Sequence, residues 1–140
     1  MFGIFEQHCL DPFLPIFRGF DDIFFMPHSR HTEIRKADIL KDKRLTLIAE
    51  SEESGVSIVM ANGGREFTGH LEYAPNTLDQ EYKRDLGKRD DVDMPKNYYK
   101  DDNPDNNPVV RWRAHANLFF TNWINYYVYQ ETPFDINLIK

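Results

Sequence analysis

Apolar and polar positions along the chain divide it into short extended runs followed by two helical patterns. Met1 to Cys9 carries Phe2, Ile4 and Phe5 ahead of the polar Glu6-Gln7-His8, and predicts a strand beginning at the first residue. Domains usually open on a frayed polar end, so this start leads us to expect a chain that begins inside a fold. Pro12 and Pro15 make Leu10 to Phe17 a turn or edge strand. Arg18-Gly19-Phe20-Asp21-Asp22 is a further turn, and the apolar run Ile23 to Met26 is expected to stop at Pro27. Ala37 to Leu40 predicts a brief helical turn. Strands are predicted over Arg44 to Ala49 and Val56 to Ala61, with Asn62-Gly63-Gly64 as a hairpin signal and Arg65 to Gly69 as a third meander strand.

Thr77 to about Lys88 predicts a helix. Thr77 and Gln80 have capping-box spacing, Leu78, Tyr82 and Leu86 form one apolar stripe, and Gly87 stops it. Arg84 falls on the opposite side. Asp90 to Pro108 reads as a long polar loop that either wraps the surface or packs against something outside these 140 residues. Arg111 to Tyr129 is a strong helical pattern. Ala116, Phe119, Phe120, Trp123 and Tyr127 lie at helical spacing, and Leu118, Ile124, Tyr126 and Val128 make the segment apolar on most sides. It is expected to be buried or covered by a partner. Phe134 onward reads as a tail.

Composition narrows the class. At 140 residues, 41% hydrophobic and 29% charged, the chain fits one globular domain. A net charge of −6 argues against nucleic acid or an anionic membrane as main partner. Cys9 is the single cysteine, so no disulfide forms within the chain and a reducing cytoplasm is expected. There is no apolar run of about 18 residues and no signal-peptide pattern.

The chemistry centres on Phe67-Thr-Gly-His-Leu-Glu-Tyr73. If this segment is extended, His70 and Glu72 point one way and Leu71 the other. A carboxylate beside an imidazole favours the protonated ring and helps it accept a proton. The pair therefore suits a general base and the group that orients it. The same residues also suit a polar strand end with a solvated histidine. His28 and His31 have no third ligand at useful spacing, so a metal site is not expected.

The chain resembles the C-terminal part of the homoserine O-acyltransferases of methionine biosynthesis, the branch built on a class I glutamine-amidotransferase-like domain. The resemblance rests on Arg18-Gly-Phe-Asp-Asp22, Pro27-His-Ser-Arg-His-Thr-Glu33, Ala49-Glu-Ser-Glu-Glu53, Thr68-Gly-His-Leu-Glu-Tyr73, Gln80-Glu-Tyr-Lys-Arg-Asp85 and the long motif from Arg111 to Pro133. It implies an α/β fold: the C-terminal portion of a flavodoxin-like sheet, with a β-meander and two main helices. Residues 1–140 would be the C-terminal part of one acyltransferase domain. It further implies that a cysteine takes the acyl group from acyl-CoA as a thioester, and that the hydroxyl of L-homoserine then attacks it. By motif match, His70 is the base, Glu72 orients it, Arg84 holds the substrate carboxylate and Ser29 contacts substrate. Acetyl-CoA or succinyl-CoA is the co-substrate with no bound cofactor. Pro27 to Glu33 looks more like the acetyl-using members. A homodimer is a further partner to test.

Two departures stand out. The family's nucleophile lies upstream of everything in this chain, so the 140 residues alone are expected to be inactive, and Cys9 is an ordinary thiol. The segment from Gly63 to Phe67 looks about two residues short, which tightens the turn that aims His70. Two other readings stay open: a glutaminase subunit of the amidotransferase type, which uses the same Cys-His-Glu logic, and a truncated, non-catalytic interaction product.

Overall fold

A computed structural model describes residues 1–61, 69–89, 91–133 and 135–139. Four strands form an antiparallel sheet: β1 (Phe2–Cys9), β2 (Ile23–Ser29), β3 (Leu45–Ser51) and β4 (Gly55–Ala61), in the order β2-β1-β3-β4. Helices α1 (Lys36–Ile39), α2 (Thr77–Leu86) and α3 (Arg113–Trp123) complete an α/β fold. The predicted strand over Arg65 to Gly69 and its Asn62-Gly63-Gly64 turn lie, apart from Gly69, outside the described residues.

β1 and β2 pair along their whole length, from Phe2 opposite Ser29 to His8 opposite Ile23. Pro27 does not end β2, contrary to the expectation from sequence. It sits opposite Ile4 on a strand that is at the sheet edge among the described residues, and its backbone faces away from β1, so no bond of the β1–β2 ladder is lost. The outward carbonyl of Pro27 accepts the backbone N–H of His70 instead, at 3.2 Å. β1 meets β3 only through His8 opposite Glu50 and Cys9 opposite Ala49. The β3–β4 hairpin is irregular around Ala49, where the register shifts.

Asp91 to Pro108 is no mere surface wrap. Lys96 pairs with Gly3 and exchanges backbone hydrogen bonds with both neighbours of Gly3: Ile4 N–H to Lys96 O at 2.9 Å and Lys96 N–H to Phe2 O at 3.0 Å. Gly3 is required here, with φ +144°, and a Cβ would meet the Lys96 oxygen at 2.4 Å. Tyr98 and Tyr99 are buried and tie down the start of α2. The Tyr98 hydroxyl donates to Pro75 O (2.6 Å) and accepts from Asp79 N–H (3.2 Å), while the Tyr99 hydroxyl donates to the Asp79 carboxylate (2.6 Å). These bonds replace the predicted capping box. The cap position is Asn76, Thr77 is already helical, and no cap side-chain bond forms. Along the α2 stripe Leu78 is buried, Tyr82 packs against the core and Leu86 is exposed.

The core lies between the sheet and α3. Ile4, Phe24, Met26, Ile48 and Ile58 from the strands meet Leu71, Leu78, Trp112, Ala116 and Phe119. Burial of that apolar surface is what holds the helix to the sheet. Asn122 adds a polar lock: its amide donates to Ile16 O (3.0 Å) and Arg18 O (2.8 Å), satisfying carbonyls of the 3-10 turn Pro15–Phe17 and the residue after it. The helix runs on past α3 through a π-helical stretch, Ile124–Val128, to α4 (Tyr129–Glu131). One side is buried; Phe120, Ile124 and Tyr129 are exposed. Ile136–Leu138 forms a last 3-10 turn, also exposed.

Candidate functional site

His70 to Tyr73 is a tight turn, closed by the Tyr73 N–H donating to His70 O at 3.2 Å. The extended geometry expected from sequence is corrected here. Strand pairing is replaced by single bonds from distant elements: His70 N–H to Pro27 O on β2, and the indole N–H of Trp112 to Tyr73 O at 3.0 Å. Leu71 is buried in the core, as its apolar character requires. A Cβ at Gly69 would sit 1.7 Å from Met26 Sδ, so glycine lets the turn approach that side chain closely. With Leu71 inward, His70 and Glu72 project together. The imidazole Nδ1 lies 2.9 Å from Glu72 Oε1, and both side chains reach solvent.

Tyr73, whose role was not read from the sequence, links the imidazole to Glu81 on α2. Its ring stacks on the imidazole, with centroids 4.4 Å apart and planes at 21°. Its hydroxyl donates to Glu81 Oε1 at 3.0 Å. Burial, and then the Glu81 carboxylate, push the Tyr73 phenol up to about 12, so it stays protonated. The other Glu81 oxygen, Oε2, is buried and has no partner among the described residues.

Arg84 lies one helical step beyond Glu81 on α2 (i, i+3). Its guanidinium is turned to Asp85, with Nε at 2.8 Å from Oδ1 and Nη2 at 3.1 Å from Oδ2. A cleft of about 770 Å3 opens alongside, lined by Ser29, Arg30, Asp85, Arg89 and Lys96 among others. Glu72 lies on the far side, at the rim of a 230 Å3 apolar cavity formed with Met26, Gly69, Leu71, Phe119 and Phe120. Of the four candidates read from the sequence, His70 and Glu72 meet directly, Ser29 lines the cleft, and Arg84 is paired with Asp85 on α2.

The remaining candidates fall elsewhere. Cys9 sits at the opposite end of β1 from the Phe2–Ser29 pair, seven residues or roughly 23 Å along the strand. Burial, and then Asp22, push its thiol up to about 12. His28 is buried and its Nε2 lies 3.3 Å from the Gln7 amide, whereas His31 is exposed, so the two do not share a site. Burial, and then Arg30 and the neighbouring His70, push His28 down to about 3. Among the described residues no group of three His, Cys, Asp or Glu side chains is placed to hold a metal. No helix among them is long and apolar enough to cross a membrane. Two signals for the missed residues were present. Tyr73 ends the motif that contains the pair, and Glu81 precedes Arg84 by one helical step.

Comparison with known proteins places the chain first among transferases. The particular group follows from the family match: residues 1–134 fit the homoserine O-succinyltransferase family, and the chain belongs to it. Similar proteins include homoserine O-acetyltransferases from Phocaeicola vulgatus (71% identical over 142 residues) and Bacteroides thetaiotaomicron (64% over 142). Each match takes in the whole chain and 47% of the relative. The enzyme of the same name from Bacillus cereus is 54% identical over 136 residues, covering 96% of this chain and 45% of the relative. The chain therefore spans about half the length of the curated relatives it matches.

Proposed function

We propose that this chain is the base-bearing and substrate-binding part of an enzyme that transfers an acetyl group from acetyl-CoA to the hydroxyl of L-homoserine. Succinyl-CoA is the competing donor within the same family. The observation that carries the reading is the 2.9 Å contact between His70 Nδ1 and Glu72 Oε1. It fixes the ring and leaves Nε2 to take a proton. Cys9 is too far away, and too firmly protonated, to serve as nucleophile, so that group comes from residues outside this chain. The antiparallel sheet is then one part of a flavodoxin-like, amidotransferase-like domain completed by those residues. The enzyme works in the cytoplasm on small molecules, with a homodimer as its one candidate protein partner.

In the first half-reaction the cysteine thiolate attacks the acyl-CoA carbonyl and CoA leaves as its thiolate. In the second, His70 Nε2 takes the homoserine hydroxyl proton as the oxygen attacks the enzyme thioester. The tetrahedral intermediate collapses, the C–S bond breaks, and the cysteine sulfur departs with the proton that His70 returns. The substrate carries a carboxylate and an ammonium on one carbon. Arg84 takes the carboxylate with its planar fork, and the exposed Asp85 pairing is readily exchanged. The unpartnered Glu81 Oε2 takes the ammonium.

The test is CoA release from acetyl-CoA with homoserine, measured on this chain joined to the upstream half of the Phocaeicola vulgatus relative. His70→Ala is expected to reduce transfer by about 10²–10⁴-fold. Near wild-type turnover would remove His70 from the mechanism. The 140 residues alone are expected to release no CoA.

A further inference from the structure

Tyr73 touches both the proposed base and the proposed ammonium acceptor, yet takes no part in the steps above. Its backbone is pinned on both sides: the N–H donates to His70 O, and the carbonyl accepts from the indole of the buried Trp112. The phenol is thus placed by the core. Glu81 is placed separately. On α2 the buried Leu78, and Asp79 held by Tyr98 and Tyr99, fix the helix just before it. Between these two anchored backbones runs one bond, from the Tyr73 hydroxyl to Glu81 Oε1 at 3.0 Å. A carboxylate only accepts, so the phenol proton is the one donated. The bond occupies Oε1 and selects one orientation for a side chain rich in rotamers. Oε2 stays buried and has no partner among the described residues. A buried acceptor left unpaired is costly, so it readily takes a donor from a ligand.

We propose that Tyr73 is a positioning residue for amino-acid recognition: by donating to Glu81 Oε1 it holds that carboxylate in the orientation that leaves Oε2 for the substrate ammonium. The inference rests on the reading of Glu81 as the ammonium acceptor. The Tyr73 ring also lies against the His70 imidazole, with centroids 4.4 Å apart, so the acceptor and the base share one rigid support. Tyr73 acts through Glu81 and touches no substrate atom itself.

Tyr73→Phe keeps the stacked ring and removes only the donor. In NMR spectra of the 140-residue chain, the carboxylate-carbon signal of Glu81 is expected to move in Tyr73→Phe, with dispersed amide signals confirming that the fold survives. In the chain joined to the upstream half, Tyr73→Phe is expected to raise KM for homoserine about tenfold, the scale of one hydrogen bond to a charged group, while kcat stays within about threefold. Glu81→Gln should raise KM at least as much, and adding Tyr73→Phe to it should raise KM no further. Three results would each overturn the proposal: an unmoved Glu81 signal, a fall in kcat with KM unchanged, or a full rise in KM from Tyr73→Phe in the Glu81→Gln background. Unchanged KM in Glu81→Gln would overturn the underlying reading instead: Glu81 would not take the ammonium, even where the shifted signal shows that Tyr73 holds it.

Discussion

Gly69→Ala puts the packing behind His70 to a direct test. The added Cβ would lie 1.7 Å from Met26 Sδ, 3.0 Å from its Cγ and 3.2 Å from its Cε. Ordinary contact needs about 3.5–4 Å, so the sulfur has to retreat by roughly 2 Å. Met26 is 1% exposed and packed in the core cluster with Ile58, Leu71 and Phe119, so its sulfur can retreat only by changing rotamer into the 230 Å3 apolar cavity that these residues line. Overpacking of this kind costs about 1–3 kcal/mol, toward the low end if the flexible methionine adopts another rotamer. Met26→Ala removes the obstacle and on its own costs about 2–5 kcal/mol as a cavity. In that background Gly69→Ala should cost little, so the double-mutant cycle should show about 1–3 kcal/mol of coupling. Urea unfolding of the four proteins measures this directly, with the m-value reporting whether the transition stays comparable. Additivity within about 0.5 kcal/mol would mean that Gly69 and Met26 do not meet as described, and the account of how His70 is placed would fall with it.

Three further outcomes follow from the charged and buried groups. His28 is pushed down to about 3, below its value of about 6.5 in an unfolded chain, so the unfolded state binds the extra proton between those values. Stability is therefore complete above about pH 6.5 and falls as the pH drops toward 3, by up to about 1.4 kcal/mol per pH unit; the fall should flatten in His28→Gln, and an equal slope in both proteins would refute it. Cys9, with its thiol near 12, should react with a thiol reagent at pH 8 far more slowly than a free cysteine, and Cys9→Ala should leave transfer by the completed protein unchanged. The Tyr73 phenol, near 12, should titrate lower in Glu81→Gln, because the removed carboxylate disfavours the phenolate; an unmoved ultraviolet titration would break the Tyr73–Glu81 link.

Much of the fold was legible because its elements follow local pattern. β1, β4 and the core face of α3 emerge from alternation and helical spacing alone. Pro27 misled because a proline ends a central strand but is tolerated at an edge, and edge position is a property of the assembled sheet. Thr77 looked like a cap because its spacing to Gln80 is right; the tyrosines that anchor α2 come from a loop that reads as solvent-exposed polar chain. The His70–Glu72 pair was legible as chemistry but not as geometry. It was expected on a strand, and it stands on a turn whose bonds go to Pro27 and Trp112, partners far away in the chain. Tyr73 went unremarked because an aromatic beside a histidine looks like ordinary packing until Glu81, from a separate helix, meets its hydroxyl.

The way this turn is held bears on what the chain does by itself. Neither His70 nor Tyr73 takes its position from a regular ladder, yet the backbone of each is fixed by a bond to a different element. β2 receives His70 through the carbonyl of Pro27, which points away from β1, and Trp112, at the start of α3, reaches Tyr73 through an indole that closes the core. Both anchors lie within these 140 residues, and so do Ser29, Glu81 and Arg84. The proposed base, its proposed orienting carboxylate and the groups proposed to read the amino acid can therefore be preorganised before any nucleophile is supplied, which is where much of the cost of binding and catalysis is met. On this account the isolated chain should already bind homoserine weakly and stereospecifically. Isothermal titration should show that binding lost in Arg84→Ala and kept in His70→Ala. If binding appears only after the upstream half is joined, the amino-acid site is completed from outside this chain, and Arg84 and Glu81 are not sufficient to form it.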